Sequence, residues 1–556
     1  MEVSFLGYAR VAVACPHAFR MHAINGMMTG PLAWQAINDF SILTMNLNVN
    51  PLSNEPDSAR PNEPGEKSWR LHGGQFMLGP SFAAGHFAGW QKIDIDAALK
   101  LTAHPDLACA RATDGERTLT LVGHILDPLV PAATNDDILQ QLLHRFTGRP
   151  ALIKATSGYG GRWLLIATNG PEKFLFHDAL GLRQVFYTNP ADTGSLWAMS
   201  QPGIGAELLS LQPDAAATAF MNSPAFRANP EYRWPGEASP FRGLKHLLPN
   251  HWLDLATGTS HRYWPGEPLA RVQLEAAIER LSVLLPGIVR AAAQRFELAL
   301  GVTAGLDSRL VLAAARDVKD RLSCVTVRQG GMAPDHADLT IPARLLNRLG
   351  LPHEVIHAQQ RMTPEFSRTF KRSVYLAHDH YGPDAEAILR RFARTKAVLT
   401  GSGSEVGRCS FRKALPRSDR RTITPAHLAR LQRMDREPFV LRHFERWLSD
   451  AAPRHNVKLL DLFEWEQGHG NWLAMTQLEF DIAWREIITP YNCREVLTIF
   501  LSVDERHRRA PDYTLFRRLT GKLWPDVMQE PIGPRPRRNL HQRLKGVVRS
   551  VSRYWS

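Results

Sequence analysis

Five cysteines in 556 residues are too few and too scattered for a disulfide framework. Cys15, Cys109, Cys324, Cys409 and Cys493 are odd in number and never in CxxC spacing, so a zinc site is not indicated either. Each reads as a small buried hydrophobe. Also missing is any run approaching the roughly 18 to 20 apolar residues of a membrane span. The opening MEVSFLGYARVAVACPHAF has no basic segment leading into a clean apolar core. A soluble cytoplasmic protein without a transmembrane segment is expected. No GxSxG elbow occurs, since GSGSEVG misses its spacing, which argues against a Ser/His/Asp hydrolase. No internal repeat is evident.

What is present is ordinary globular material: 44% hydrophobic and 22% charged residues leave no case for disorder as the default. The length exceeds one ordinary core and predicts two to four domains. Net charge is +13, much of it in PRPRRNLHQRLKGVVRSVSRYWS. There Leu540, Leu544, Val547, Val548 and Val551 recur at helical spacing among Arg537, Arg538, Arg543, Lys545 and Arg549. Such a segment suits an anionic surface, an RNA or a polyanion. The plainer reading is a helix docking its apolar stripe with its basic face solvated. With no RRM, KH or zinc-finger pattern, a specific nucleic-acid partner is not expected.

The first part of the chain reads as short strands and turns. FSILTMNLNV and TLTLVGHIL have strand composition, and the proline-rich polar stretch 50–67 reads as a loop. Phe174 to Phe176 and Val185 to Tyr187 look like paired strands around a turn at Gly181. A layered antiparallel sheet is expected to about residue 265. From Leu274 the texture changes. LEAAIERLSVLLPGIVRAAAQRF places Ile278, Leu281, Leu285 and Ile288 on one helical face, with Pro286 a kink. Then strand and helix alternate at βαβ spacing, which predicts a mainly parallel sheet with ligands beyond the strand carboxyl ends. After Ser410 the pattern is mostly helical.

The stretch ELALGVTAGLDSRLVLAAA runs a strand straight into a helix through Thr303, Ala304, Gly305, Leu306, Asp307 and Ser308. Consecutive N–H groups and the positive end of a helix dipole meet there, which suits phosphate. Ala304 and Gly305 keep the backbone open, and Thr303 and Ser308 offer hydroxyls. Asp307 would repel phosphate unless a hard cation such as Mg2+ lies between them. The alternative is a capped helix start, with Asp307 or Ser308 satisfying orphan N–H groups.

VTAGLDSR resembles the SGGxDS pyrophosphate loop of the ATP pyrophosphatases, and its neighbours are similar to the synthetase domain of the asparagine synthetases. Thr303 stands for the loop serine and Ala304 for a glycine, while Gly305, Asp307 and Ser308 match. SCVTVRQGG, with Val327 at its end, corresponds to the strand lining the adenine pocket. DHADLTIPARLLNRLGLPHEVI resembles the next helix and strand through Asp338, Ala343, Leu349, Gly350 and His353. AVLTGSGSEVGRC resembles the SGxGxDE turn: Gly401 and Gly403 match and Glu405 falls at the metal-binding aspartate. Ser402 and Val406 depart from its acidic positions. Gly123, Arg162, Asp178, Gly181, Arg183 and Pro249 follow the order of the companion glutaminase domain. Working members place cysteine after the initiator methionine; here Glu2 stands there, so glutamine hydrolysis by that route is not expected.

The resemblance implies an α/β and α+β chain in three parts. Residues 1–265 would form a degenerate, Ntn glutaminase-like domain of layered antiparallel sheets. Residues 270–545 would form a parallel-sheet PP-loop domain, adenine nucleotide α hydrolase-like with a helical C-terminal part, and 546–556 a basic tail. It implies ATP and Mg2+ as cofactors and an AMP-forming, carbon–nitrogen ligase joining a small-molecule or peptide carboxylate to ammonia or an amine. Thr303, Ala304, Gly305, Asp307, Ser308, Val327, Gly401 and Gly403 would bind nucleotide, with Asp307 and Glu405 on the metal. Asp307 and Ser308 would act in catalysis, with Arg535 or Arg537 replacing the family's C-terminal lysine and Lys522 a more remote candidate. A homodimer is compatible. So are an intramolecular cyclase, as in β-lactam synthetases and lasso-peptide cyclases, and an inert nucleotide-binding scaffold. A metal hydrolase built on His378, Asp379 and His380 is a weaker rival, because adjacent residues cannot all face one metal from a helix.

Overall fold

Strand β6 (Gly160–Asn169) shows why the first part of the chain layers as it does. Its WLLIA run is apolar at every position, so a sheet burying only one face would waste half of it. A computed structural model, which describes residues 71–83, 85, 87–415, 422–434 and 436–533, buries both faces. Leu164 and Ile166 enter one core with Phe76, Leu101 and Leu253. Trp163, Leu165 and Ala167 enter another with Ile138 and Leu142 of the helix Asn135–Arg145.

Two antiparallel six-stranded sheets result. One has the order β10-β8-β9-β1-β3-β2, built from β1 (Phe76–Gly79), β2 (Gln91–Asp94), β3 (Lys100–Ala103), β8 (Phe186–Thr188), β9 (Ala198–Met199) and β10 (Leu244–His246). The other has the order β12-β11-β7-β6-β5-β4, from β4 (Cys109–Thr113), β5 (Arg117–Leu126), β6, β7 (Glu172–His177), β11 (His251–Asp254) and β12 (Ser260–Arg262). The expected pairing of Phe174–Phe176 with Val185–Tyr187 is overturned, because β7 and β8 lie in different sheets. Asp178 accepts N–H bonds from Trp163, Leu182 and Arg183. Gly181, at φ +70° against Pro249, then turns the chain from one layer to the other.

The helix Leu274–Arg295 runs unbroken through Pro286, and Ile278, Leu281, Leu285 and Ile288 are all buried on its inner face. It delivers the chain to a five-stranded sheet of order β15-β14-β13-β16-β17, whose strands are β13 (Leu298–Gly301), β14 (Leu322–Arg328), β15 (His353–His357), β16 (Ala397–Leu399) and β17 (Ile487–Ile488). Every neighbour pair is parallel. Packing is continuous across residue 265, since Leu180, Ile288, Leu300 and Val406 share one core. Segments 1–70 and 534–556, which hold Cys15, Glu2, FSILTMNLNV, the proline-rich loop, Arg535, Arg537 and the basic segment, lie outside the described residues.

Candidate active site

The parallel sheet has one place where its winding reverses. From β13 the chain moves to β14 and β15 on one side, and then crosses to β16 on the other. In open sheets of this kind the point beyond the carboxyl ends of two such strands, here β13 and β16, is the usual ligand position. The segments at that point are Val302–Gly305, leading into the helix Leu306–Ala314, and Thr400–Arg408.

The two segments touch. A Cβ on Gly401 would stand 2.7 Å from the Ser308 amide nitrogen and 2.9 Å from Asp307 Cβ, so only glycine lets the turn reach the helix start. Gly403 has φ +106°, and a Cβ there would meet Leu180 and Tyr491. Both glycines are therefore required by the backbone, whatever binds.

Within the loop, Ser308 Oγ accepts the Thr303 N–H at 3.1 Å and lies 3.1 Å from Thr303 Oγ1. Thr303 Oγ1 accepts the Gly305 N–H at 3.2 Å. Asp338 Oδ1 accepts the Ala304 N–H at 2.8 Å, so one loop donor is already held by a carboxylate. Gly305, at the N-cap of the helix Leu306–Ala314, offers no capping side chain, while the Asp307 carboxyl bonds its own backbone N–H and Ser308 Oγ takes that of Thr303, so both residues satisfy N–H groups at the helix start, as the capping alternative expects. Val327, opposite Ile356 on β14, sits one strand away.

Arg408 decides the electrostatics. Its Nη1 is 2.9 Å from Asp307 Oδ1 and its Nη2 is 3.5 Å from Glu405 Oε1. Ser404 donates its hydroxyl to Asp307 Oδ1. Glu405 Oε2 accepts the Gly403 N–H at 2.9 Å and lies 3.4 Å from His469 Nε2. Burial pushes the Asp307 carboxyl up to about 6, despite Arg408. Burial works against the Glu405 charge too, but His469 and Arg408 outweigh it and bring that carboxyl down to about 2. His469 belongs to a π-helical stretch, Glu464–Leu473, an uncommon geometry often found at functional sites. Of the two departures from the SGxGxDE pattern, Val406 is fully buried in the core and the Ser402 carbonyl accepts the Thr489 hydroxyl at 2.6 Å.

Magnesium takes carboxylate oxygens together with phosphate oxygens and water. The pair expected to supply them does not fit that ion as arranged, because a guanidinium already bridges Asp307 and Glu405. Among the described residues no group of three or more His, Cys, Asp or Glu side chains is placed to hold a metal.

The C-terminal segment reaches the same corner. Fully buried Arg309 donates to the carbonyls of Val527, Glu530 and Pro531, at 2.7, 2.9 and 3.1 Å. The Gly533 N–H then donates to the Ala304 carbonyl at 2.9 Å. Lys522 is instead paired with Glu279.

The residues of the glutaminase resemblance are structural here. Arg162, 1% exposed, donates to Asp481 at 2.6 and 2.9 Å and to Glu486 at 3.2 Å. Arg183 reaches Glu486 at 2.8 Å. A Cβ on Gly123 would lie 2.3 Å from the Arg162 carbonyl oxygen. The proposed histidine ligands separate: His378 is buried on Glu479 at 2.7 Å, Asp379 pairs with Lys371 and His380 faces Glu231. Sequence reasoning missed Arg408, Ser404, His469 and Tyr491, whose hydroxyl donates to the Asp307 carbonyl at 3.3 Å.

No family model and no curated protein matches the chain. Among solved structures, it is similar to a glutamine-dependent NAD+ synthetase from Acinetobacter baumannii in complex with ADP at 16% identity and TM-score 0.17, over 30% of this chain and 32% of that one. A glutamine phosphoribosylpyrophosphate amidotransferase from B. subtilis, complexed with ADP and GMP, aligns at 10% identity and TM-score 0.22, over 61% and 72%. A structure described as the allosteric regulatory enzyme of purine biosynthesis aligns at 9% and 0.23, over 52% and 75%. The chain thus spans about a third of the first of these. At such TM-scores no argument passes from them to this chain.

Proposed function

We propose that the corner beyond the carboxyl ends of β13 and β16 holds the phosphates of ATP, and that the chain is an ATP-dependent, amide-forming ligase of the asparagine synthetase type. The observation that carries this reading is the contact of Gly401 with Ser308 and Asp307 at the winding reversal, which brings a helix start and two hydroxyls into one corner. The substrate carboxylate attacks the α-phosphorus, giving an acyl-adenylate and releasing pyrophosphate; an amine then displaces AMP. Hydroxyls of Thr303 and Ser308 and the first-turn N–H groups meet the charge that develops on the leaving diphosphate. Arg408 is the fixed cation beside them. Adenine stacks toward the Val327 end of β14. In this reading residues 1–265 are a glutaminase-like scaffold, 270–545 the synthetase domain and 546–556 a basic tail.

A second reading, a nucleotide-binding scaffold without turnover, is favoured by one observation: Asp307 and Glu405 are already engaged by Arg408. Pyrophosphate release from ATP, measured against a panel of carboxylates and amines that includes peptides with both groups, separates the two. Release that needs one acid and one amine supports the ligase, and within it a single substrate carrying both groups marks a cyclase. Saturable ATP binding without release under every pairing supports the scaffold. Absence of ATP binding defeats both.

A further inference from the structure

Two carboxylates that reach toward one point repel each other unless a cation stands between them. In this corner the cation is part of the chain. The forked guanidinium of Arg408 places one nitrogen on Asp307 at 2.9 Å and the other toward Glu405 at 3.5 Å. The Arg408 side chain is 17% exposed, and its Nε has no hydrogen-bond partner among the described residues. The Tyr513 ring lies under the guanidinium, its centroid 5.5 Å away, and adds the attraction of an aromatic face for a cation. Glu405 is fixed from behind by the Gly403 N–H and His469, so its carboxylate is oriented for this partner.

We propose that Arg408 is the resident cation of the corner, occupying with a side chain the place between Asp307 and Glu405 that a divalent metal would take. An arginine does not deprotonate in proteins, so the charge is permanent, and its planar fork can turn from carboxylate to phosphate oxygens. A divalent ion approaching the same oxygens meets a like charge. The consequence for ligand binding, which rests on the phosphate reading given above, is that a diphosphate binds here without added metal.

The experiment has two arms on the full-length protein. In the first, Mn2+ is titrated without nucleotide and bound metal is read by electron paramagnetic resonance. Wild type and Arg408→Lys show only background binding. Arg408→Met, or Arg408→Gln should the first variant fail to fold, gains a site at least ~10-fold tighter, the scale of removing one like charge; adding Asp307→Asn returns it to background. Wild-type Mn2+ binding that Asp307→Asn removes, or no gain in a folded Arg408 variant, overturns the inference. In the second, pyrophosphate is titrated calorimetrically in EDTA. Wild type binds, and Arg408→Gln weakens it ~10-fold; binding that requires Mg2+ overturns the metal-free part. If pyrophosphate binds under neither condition while the Mn2+ arm behaves as stated, the phosphate reading falls and the place of Arg408 stands.

Discussion

Nη1 of Arg408 lies 2.9 Å from Oδ1 of Asp307, so this carboxylate is neutralised from within the chain. The two residues are 101 positions apart in sequence and arrive from opposite sides of the sheet's winding reversal. Bringing them together needs the close approach at Gly401, and the first prediction tests that approach.

Gly401→Ala forces a methyl to within 2.7 Å of the Ser308 amide nitrogen, with backbone on the far side that cannot rotate away. It is expected to destabilise the fold by about 1–3 kcal/mol, the usual cost of overpacking. ATP affinity should fall more steeply than stability does. Chemical denaturation and calorimetric ATP titration, run on the same preparation, compare the two; unchanged ATP affinity would disconnect the corner from nucleotide.

Asp307→Ala removes the carboxylate paired with Arg408 in the corner proposed to hold phosphate. ATP turnover or binding should be lost while the far-ultraviolet circular dichroism spectrum is unchanged. Retained turnover with wild-type affinity would remove the loop from the mechanism.

Glutamine is expected to release no glutamate when added to the protein. Burial pushes the thiols of Cys109 and Cys493 up to about 12 and that of Cys324 up to about 11, so none of these is an available thiolate nucleophile. Arg162 and Arg183 are committed to Asp481 and Glu486. A coupled glutamate assay that shows steady hydrolysis would contradict the scaffold role.

Arg162→Met leaves Asp481 buried with its two guanidinium contacts gone. The expected loss is about 3–5 kcal/mol, the range for breaking one side of a buried pair. Pairing it with Asp481→Leu should recover much of that loss, because the uncompensated charge goes too. Urea denaturation of both single variants and the double completes the cycle.

Acid should weaken the same junction. Burial alone would raise the Glu486 carboxyl, but Arg183 and Arg162 outweigh it and hold it at about 2 instead of 4.5. A folded-state value below the unfolded one contributes stability in full above the unfolded value, and loses it as pH falls toward the folded one. Asp481 moves the other way, burial holding it above its usual range despite Arg162. The stability gap between wild type and Glu486→Gln should therefore narrow as pH drops from about 5 toward about 2. A gap that widens would show that the carboxylate is not stabilised by its arginines.

Local pattern announced much of this molecule. The short strands before residue 265 read as a layered antiparallel sheet, and the alternation after Leu274 reads as a parallel sheet. Thr303–Ser308 reads as a strand running directly into a helix, and Gly401 and Gly403 as a tight turn, because these signals depend on neighbours in sequence. Arg408 left only a faint trace, a cation three residues beyond Glu405. His469 left none: it comes from a π-helical stretch 64 residues beyond Glu405, and no spacing rule links the two. The misread pairing of β7 with β8 has the same origin. A turn at Gly181 is compatible with a hairpin or a change of layer, and the choice rests on Pro249 and on Asp178 bonding to amides from two segments.

The order of strands and helices, the glycines that allow close approach and the hydroxyls at the helix start are determined by the chain's own sequence, since each follows from local sterics and periodicity. Which side chain neutralises Asp307, and which carboxylates receive Arg162 and Arg183, only the tertiary structure decided. Long-range charge pairing depends on where packing sets two distant backbones, and that position is the outcome of the whole core.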